Sequence, residues 1–369
     1  MDYQPAVAQC AGIGRYTRVL ASEMARLLSA DDTLSLFYCD FRRKSNALEI
    51  AGAETVAFRA IPGAAMQKLW HYAGFPPFNW IAGDADIYHF TNFTTKPLTH
   101  GKSVVSVHDM SFERFPQFAE KRNLKYLRSG IRRTVRSADA IITISEFSKR
   151  EIETLLPESR GKVQVTYLGI GPEFSVASRE DVEKVKERFG LKRPYMMTVG
   201  TIEPRKNLEF LVDVFEKLAG QGIDLVIAGA PGWKCEPILK RFENTKYKDQ
   251  LHYLKFIPDG CLPCLYSAAS LFVIPSHYEG FGFSPLEAMA CGTPVLSSSG
   301  GSLPEVLGSA ACIMESFDAD AWAHEAVGIM NDPMRSSEMI QRGILCASRY
   351  SWHHTAAQTM AVYKKVVEQ

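Results

Sequence analysis

The stretch Leu271–Val295, LFVIPSHYEGFGFSPLEAMACGTPV, carries the pattern on which the fold assignment turns. The run LFVI is short and wholly apolar, which suits a strand buried on both faces. A loop with Glu279, Gly280 and Gly282 follows, and then Ser284, Pro285 and Glu287 mark the start of a helix. The next apolar run, PVLSSS, reads as another strand.

The same alternation extends in both directions. In the first half TLSLFYC, ADIYHF, SVVSVHD, DAIITIS and VQVTYLG read as strands, with helical patterns such as GRYTRVLASEMARLLSA and NLKYLRSGIRRTVRSA between them. In the second half the strands are YMMTVGT, DLVIAGA, LHYLKFI, LFVIPS and PVLSSS. Apolar strands alternating with helices predict parallel sheets covered on both faces, an α/β class. Two series predict two doubly wound domains, the natural number for 369 residues. The join is expected in GIGPEFSVASREDVEKV, where Gly, Pro and Ser interrupt the periodicity. This divides the chain into 1–172, 173–350 and a closing helix over 351–369. The opening MDYQPAVAQCAGIG has little strand character ahead of its glycines. Either DYQPAV is a degraded first strand, or the natural start lies upstream.

Composition excludes several classes. Forty-two Lys and Arg stand against 41 Asp and Glu, so bulk charge does not call for nucleic acid. The chain is 46% hydrophobic and 22% charged, which reads as globular. No apolar h-region opens it and no apolar run reaches the ~20 residues of a membrane span. A reducing, cytoplasmic setting is the expectation. Of eight cysteines, several, as at AMACG and AACIM, read as small core residues. Cys261 and Cys264 form a lone C-x-x-C with no second pair, so no metal is expected there. The two Asp-Ala-Asp triplets, at 84–86 and 318–320, read as turn and cap residues rather than metal ligands.

Ligands of open α/β sheets bind beyond the carboxyl ends of the strands, so the default site is the cleft between two such domains. Four stretches fall at strand ends. Ser284-Pro-Leu-Glu287 admits two readings. It fits a capping box, with Ser284 at the N-cap and Glu287 at N3. It also fits a diphosphate seat at the N–H groups of Gly282, Phe283 and Ser284, with Glu287 accepting from a ribose diol and Glu279 from sugar hydroxyls. In TVGTIEPRKNL, Arg205 and Lys206 follow a strand and precede a helix; they are either an exposed basic pair or the cations for a leaving diphosphate. In VVSVHDM, His108 is either structural or a hydrogen-bonding group to substrate. In CAGIGRYTRVL, Gly12 and Gly14 make either a tight turn or a close approach to phosphate. The dinucleotide fingerprint is incomplete there.

Together these motifs resemble the retaining glycosyltransferases of family 4, which have the GT-B fold of two Rossmann-like domains facing across a cleft. The likeness rests on EGFGFSPLEAMACGTPV with Glu279 and Glu287 eight residues apart, on GTIEPRKNL, VHDMSFERFP and AGIGRYTR, and on the closing YSWHHTAAQTMAVY. The resemblance implies a nucleoside diphosphate sugar held mainly by the C-terminal domain and an acceptor side in the N-terminal one. Glu287 would bind the ribose and Glu279 the donor sugar. Lys206 with Arg205 would stabilise the leaving diphosphate, His108 would approach the sugar, and Gly12 and Gly14 would line the phosphate. It also implies no metal or other cofactor, retention of configuration, and a glycan or lipid-linked glycan acceptor; mannose from GDP-mannose is the expected donor by overall likeness. A nucleotide-sugar epimerase and a non-catalytic carbohydrate-binding relative share the fold and are the alternatives. Many relatives have an arginine directly after the glycine matching Gly200; here it is Thr201.

One region lies outside these motifs. MQKLWHYAGFPPFNWIAGDADIYHF, 66–90, is rich in aromatics, and KRNLKYLRSGIRRTVR, 121–136, is strongly basic. They read either as an aromatic core segment beside a solvated helix or as a peripheral contact with the inner membrane face.

Overall fold

A computed structural model describes all residues except 10, 11, 44–48 and 259. Cys10 and Ala11, at the start of the CAGIG stretch, lie outside the described residues. The chain divides into two compact units. Unit 1 comprises Met1–Met110, Lys121–Gly169 and Ser351–Gln369, and unit 2 comprises Ser111–Glu120 and Ile170–Tyr350.

Unit 1 is built on strands β1 (Leu34–Cys39), β2 (Ala53–Phe58), β3 (Ile87–Phe90), β4 (Lys102–Ser106), β5 (Ala140–Thr143) and β6 (Val163–Val165). β1 pairs with β2, and β3 to β6 pair in sequence order, all parallel. The two sets meet at one residue. Asp2 bridges Phe37 of β1 and Phe90 of β3, both in the parallel sense. Its N–H donates to His89 O at 2.8 Å, and Tyr3 N–H donates to Phe37 O at 2.7 Å. The DYQPAV segment is therefore a strand reduced to a single bridge, because Pro5 opens a helix at Gln4–Ala8. β2 is missing from the sequence reading. Its partly exposed pattern lacks the continuous apolar run that marks the buried strands.

The last helix, Trp352–Val367, closes on unit 1. Ser351 Oγ accepts from His354 N–H as its cap, and Thr355 Oγ1 donates to Tyr167 O at 2.7 Å. Val362 and Val366 pack with Val104, Ala140 and Ile142 beneath the sheet.

Unit 2 contains β7 (Tyr195–Val199), β8 (Asp224–Ala228), β9 (Leu251–Leu254), β10 (Leu271–Ile274), β11 (Val295–Ser298) and β12 (Cys312–Met314). They form one parallel sheet in the order β12-β11-β10-β7-β8-β9. The three-residue β12 is too short to stand out in the sequence. Every residue of β8, β10 and β11 is buried, as a sheet covered on both faces requires. Leu211, Phe215, Trp322 and Ile329, from flanking helices, pack with Leu225, Ile227, Leu271 and Val273.

The strand order reverses between β7 and β10. The chain adds β8 and β9 on one side of β7, then returns to add β10, β11 and β12 on the other. Loops leaving the carboxyl ends of β7 and β10 must diverge there, which opens a crevice.

Ser111–Glu120 joins unit 2 although its sequence neighbours belong to unit 1. Phe118 stacks on His277, with ring centroids 5.2 Å apart. The Trp233 indole donates to Phe118 O at 2.6 Å and Lys234 Nζ to Gln117 O at 2.5 Å. Side-chain stacking and loop hydrogen bonds carry this docking, and neither has a periodicity to read.

Candidate active site

The β7 loop carries Gly200, Thr201, Ile202 and Glu203, then a single 3-10 turn, Pro204–Lys206. Asn207 takes a left-handed conformation and starts the Leu208–Leu218 helix. The β10 loop carries Ser276 to Gly282. Topology makes these loops neighbours, and their charged side chains meet. Lys206 Nζ lies 2.7 Å from Glu279 Oε1, and Arg205 Nη1 lies 3.0 Å from Glu279 Oε2. Arg205 Nη2 reaches Glu203 Oε1 at 2.5 Å, and its Nη1 also donates to Tyr278 O at 2.5 Å.

Glu203 and Glu279 are both buried. Buried carboxylates of this kind require partners, and the two cations supply them. Burial pushes the Glu279 carboxyl up, but Arg205 and Lys206 together outweigh it and bring its pKa down to about 2. The formal charges of the four groups cancel. A water-sized cavity lies beside Lys206, lined among others by Thr198, Gly200, Ile274 and Ser276. It marks the crevice where β7 and β10 part. A Cβ at Gly200 would meet Lys206 Cε at 3.2 Å, so glycine leaves room for the lysine stem.

Glu279 is also gripped through its backbone. Ser302 N–H and Oγ donate to Glu279 O at 2.9 and 3.1 Å, and Glu279 bridges Gly301. Gly301 has φ +72, and a Cβ there would lie 2.3 Å from Glu279 O.

The following helix spans Phe283–Ala290, with Gly282 (φ 98) at the N-cap and no side-chain cap. This corrects the capping-box reading. Ser284 sits inside the first turn, Pro285 takes a position whose missing N–H costs nothing there, and Glu287 lies five residues past the N-cap, not at the N3 position of a capping box. Glu287 is buried instead, where Tyr266 Oη donates to its Oε2 at 3.0 Å. The exposed basic-pair reading of Arg205 and Lys206 is corrected too, since both are largely shielded and paired.

In unit 1, His108 follows β4 by two residues and is buried. Its Nε2 donates to Thr91 O at 3.0 Å, and its ring meets Tyr16 edge-on at 4.9 Å. Burial holds its pKa below the usual histidine range, against the opposing pull of Thr91 O and Asp109. Gly12, at φ +54, caps the Ile13–Leu27 helix with open space where a Cβ would point. Gly14 differs: its Cβ would lie 2.0 Å from Gln9 O, so chain packing alone explains that glycine.

The family model described as Glycosyl transferases group 1 matches residues 179–345, and the model described as Glycosyltransferase Family 4 matches residues 11–174. The O-antigen chain mannosyltransferase B of Escherichia coli is 32% identical over 282 residues, covering 75% of this chain and 74% of that protein. The chain belongs to the group 1, family 4 glycosyltransferases. Its fold agrees. Sucrose-phosphate synthase (tll1590) from Thermosynechococcus elongatus superposes with a TM-score of 0.78 at 19% identity, over 99% of this chain and 97% of that one. Anabaena Alr3699/HepE in complex with UDP-glucose superposes at 0.70 and 16% identity, over 98% and 96%. The GT-B fold, two Rossmann-like domains, is thereby shown.

Sequence reasoning about this glycosyltransferase passed over Glu203, Ser302, Gly300, Gly301 and Tyr266. Glu203 stands two residues before Arg205 in a stretch already singled out. The Gly-Gly pair shortly after β11 was a readable signal of close backbone approach: a Cβ at Gly300 would lie 2.3 Å from Ser276 O. Tyr266 carried none, since its helix, Cys261–Ala268, reads as ordinary core. Among the described residues no three His, Cys, Asp or Glu side chains converge as metal ligands, and no helix is long and apolar enough to cross a membrane.

Proposed function

We propose that this glycosyltransferase moves a hexose, with retention of configuration and without a metal, from a nucleoside diphosphate sugar to a sugar or lipid-linked sugar acceptor. The proposed donor is GDP-mannose and the proposed setting is surface polysaccharide assembly. The likeness to an O-antigen chain mannosyltransferase supports the sugar and the setting.

The observation that carries the reading is the ion cluster of Lys206, Arg205 and Glu279 at the β7–β10 crevice. Lys206, aided by Arg205, stabilises charge gathering on the departing diphosphate. Glu279 stays ionised across the physiological range and accepts hydrogen bonds from the C3 and C4 hydroxyls of the donor sugar. The phosphates dock at the start of the Phe283–Ala290 helix, at Gly282, Phe283 and Ser284, where N–H groups and the helix dipole favour an anion. Glu287, oriented by Tyr266, accepts from the ribose. From unit 1, His108, whose Nε2–H is taken by Thr91 O, would accept from a sugar hydroxyl through Nδ1, and Gly12 would face the phosphate side.

The bond from C1 to the diphosphate oxygen breaks as the acceptor hydroxyl attacks the same face. Its proton passes to the departing diphosphate oxygen, so the enzyme supplies no nucleophile. A panel of GDP- and UDP-sugars screened by thermal shift tests the donor, because a bound donor stabilises the native state. Product analysis then tests the reaction. A retained α-linkage, formed at full rate in the presence of a chelator, is expected. An inverted product, a chelator-dependent rate, or an epimerised donor without nucleotide release would reject the reading.

A further inference from the structure

The aromatic segment near the start of unit 1 divides its side chains between two environments. Trp70 and Phe78 are buried, while Tyr72, Phe75 and Trp80 are 75%, 56% and 63% exposed. The division is built in. The Trp70 indole donates to Pro76 O at 2.9 Å and so pins the turn that holds Phe75 outward. Asn79 is buried and donates to Thr99 Oγ1 at 2.7 Å, which fixes the base of Trp80. Phe75 and Trp80 then meet edge to face, with centroids 5.8 Å apart. The core reading of this segment thus holds for Trp70 and Phe78 and fails for these three.

The segment docks on the helix Lys121–Ser137. His71 stacks on Tyr126 with centroids 4.5 Å apart and shares a hydrogen bond with Ser129 Oγ at 2.8 Å. Arg133 donates to Trp70 O at 3.2 Å, and Gly130 lets the imidazole approach closely. Leu127, Ile131 and Val135 face the core. The opposite face is cationic: the helix KRNLKYLRSGIRRTVRS has no acidic residue, and all its Lys and Arg are exposed. Glu158 pairs with Arg132 and Arg136 at the far end. Lys121, Arg122 and Lys125 form no ion pair among the described residues. The aromatic segment is equally free of acids from Thr55 to Gly83. In a chain of net charge +1, this is a local concentration of positive charge beside exposed aromatics. Exposed tyrosine and tryptophan suit the headgroup level of a bilayer, where the ring is half apolar and half wet. Clustered Lys and Arg are drawn to anionic lipid.

We propose that this face of unit 1 is a peripheral membrane-binding surface. Tyr72, Phe75 and Trp80 enter the headgroup layer, and the amino-terminal half of the Lys121–Ser137 helix sits against anionic lipid phosphates. The proposal stands independently of the donor assignment.

Flotation of the full chain with phosphatidylcholine vesicles, with and without phosphatidylglycerol, tests it at low and high salt. The chain is expected to float with the mixed vesicles at low salt, to dissociate at high salt, and to ignore the neutral ones. The variant Lys121→Gln/Arg122→Gln/Lys125→Gln should bind on the order of a hundredfold more weakly, since each charge near an anionic surface contributes roughly fivefold. Tyr72→Ser/Phe75→Ser/Trp80→Ser should also lose binding, while melting temperature and donor-induced thermal shift stay unchanged in both variants. In the wild type, fluorescence emission should shift to the blue on vesicle binding, and Trp80→Phe should abolish most of the shift. No flotation at low salt, equal binding to neutral vesicles, or wild-type binding in either triple variant would overturn the proposal. Capture of an acidic protein without any vesicle binding would overturn it in favour of a protein interface.

Discussion

Lys206 Nζ and Glu279 Oε1 stand 2.7 Å apart, 73 residues apart in the chain. The crossover that places β10 beside β7 brings them together, and each is shielded from water by the loops that carry it. The first prediction tests this pair. Lys206→Ala should lower kcat by about 10²–10³-fold, the usual effect of removing one group that stabilises developing charge. Glu279→Gln should do comparable damage by loosening the hold on the sugar. Because Arg205 still faces Glu279, the stability loss in Lys206→Ala should be no more than about 2 kcal/mol. Turnover assays and denaturant titrations together check this; full activity in either variant counts against the site.

Acid should expose the same pair. The folded pKa of Glu279, about 2, lies below its ordinary 4.5. A depressed carboxyl contributes stability that is present above the unfolded value and lost as pH falls toward the folded one. Its contribution, about 3 kcal/mol by the size of the shift, should therefore be constant above pH ~5 and fade between 4.5 and 2. Glu279→Gln should flatten that limb of the stability curve. Urea denaturation at a series of pH values, wild type against variant, shows whether it does.

Tyr266→Phe removes the hydroxyl that donates to buried Glu287. Losing a hydrogen bond to a buried charged group costs about 1.5–3 kcal/mol. If Glu287 holds the ribose, the variant should raise KM for the donor severalfold with little change in kcat, and Glu287→Ala should raise it further. Steady-state kinetics with varied donor concentration separate this from a purely structural role, in which KM would not move.

Two glycines should respond differently to alanine. At Gly301 the new Cβ would run into Glu279 O, so Gly301→Ala should displace Glu279, abolish most activity and cost about 2 kcal/mol or more. At Gly12 there is open space, and only the positive φ opposes the change. Gly12→Ala should cost about 1 kcal/mol, with the remaining effect confined to donor affinity. Parallel melting curves and donor titrations check both.

His108 should give no inflection to the rate profile near the ordinary histidine pKa of 6.5, because burial keeps it neutral below that value. For stability the sign runs the other way from a group whose pKa is raised. A buried neutral imidazole contributes fully above pH 6.5, and its contribution is lost as pH falls below that, where the unfolded chain takes up the proton. His108→Gln should weaken this decline, which pH-dependent melting measures.

The path from letters to structure was uneven for a physical reason. Buried parallel strands such as LFVI and DLVIA must be apolar on both faces, so they show in one dimension. AETVAF, partly exposed, and CIM, three residues long, do not. The Ser284–Glu287 box matched a local rule, yet the helix begins two residues earlier, at Phe283 rather than Pro285, and Glu287 accepts from Tyr266. A tertiary partner won over the local one.

The chain's order of residues by itself determined two parallel α/β domains, the family, and the loops on which chemistry would gather, because periodicity, glycines and charges at strand ends are local properties. Tertiary structure alone decided that Lys206 and Arg205 converge on Glu279, that Asp2 joins two sets of strands, and that Phe118 stacks on His277. Such contacts depend on strand order and side-chain direction across long separations, which no window of sequence contains.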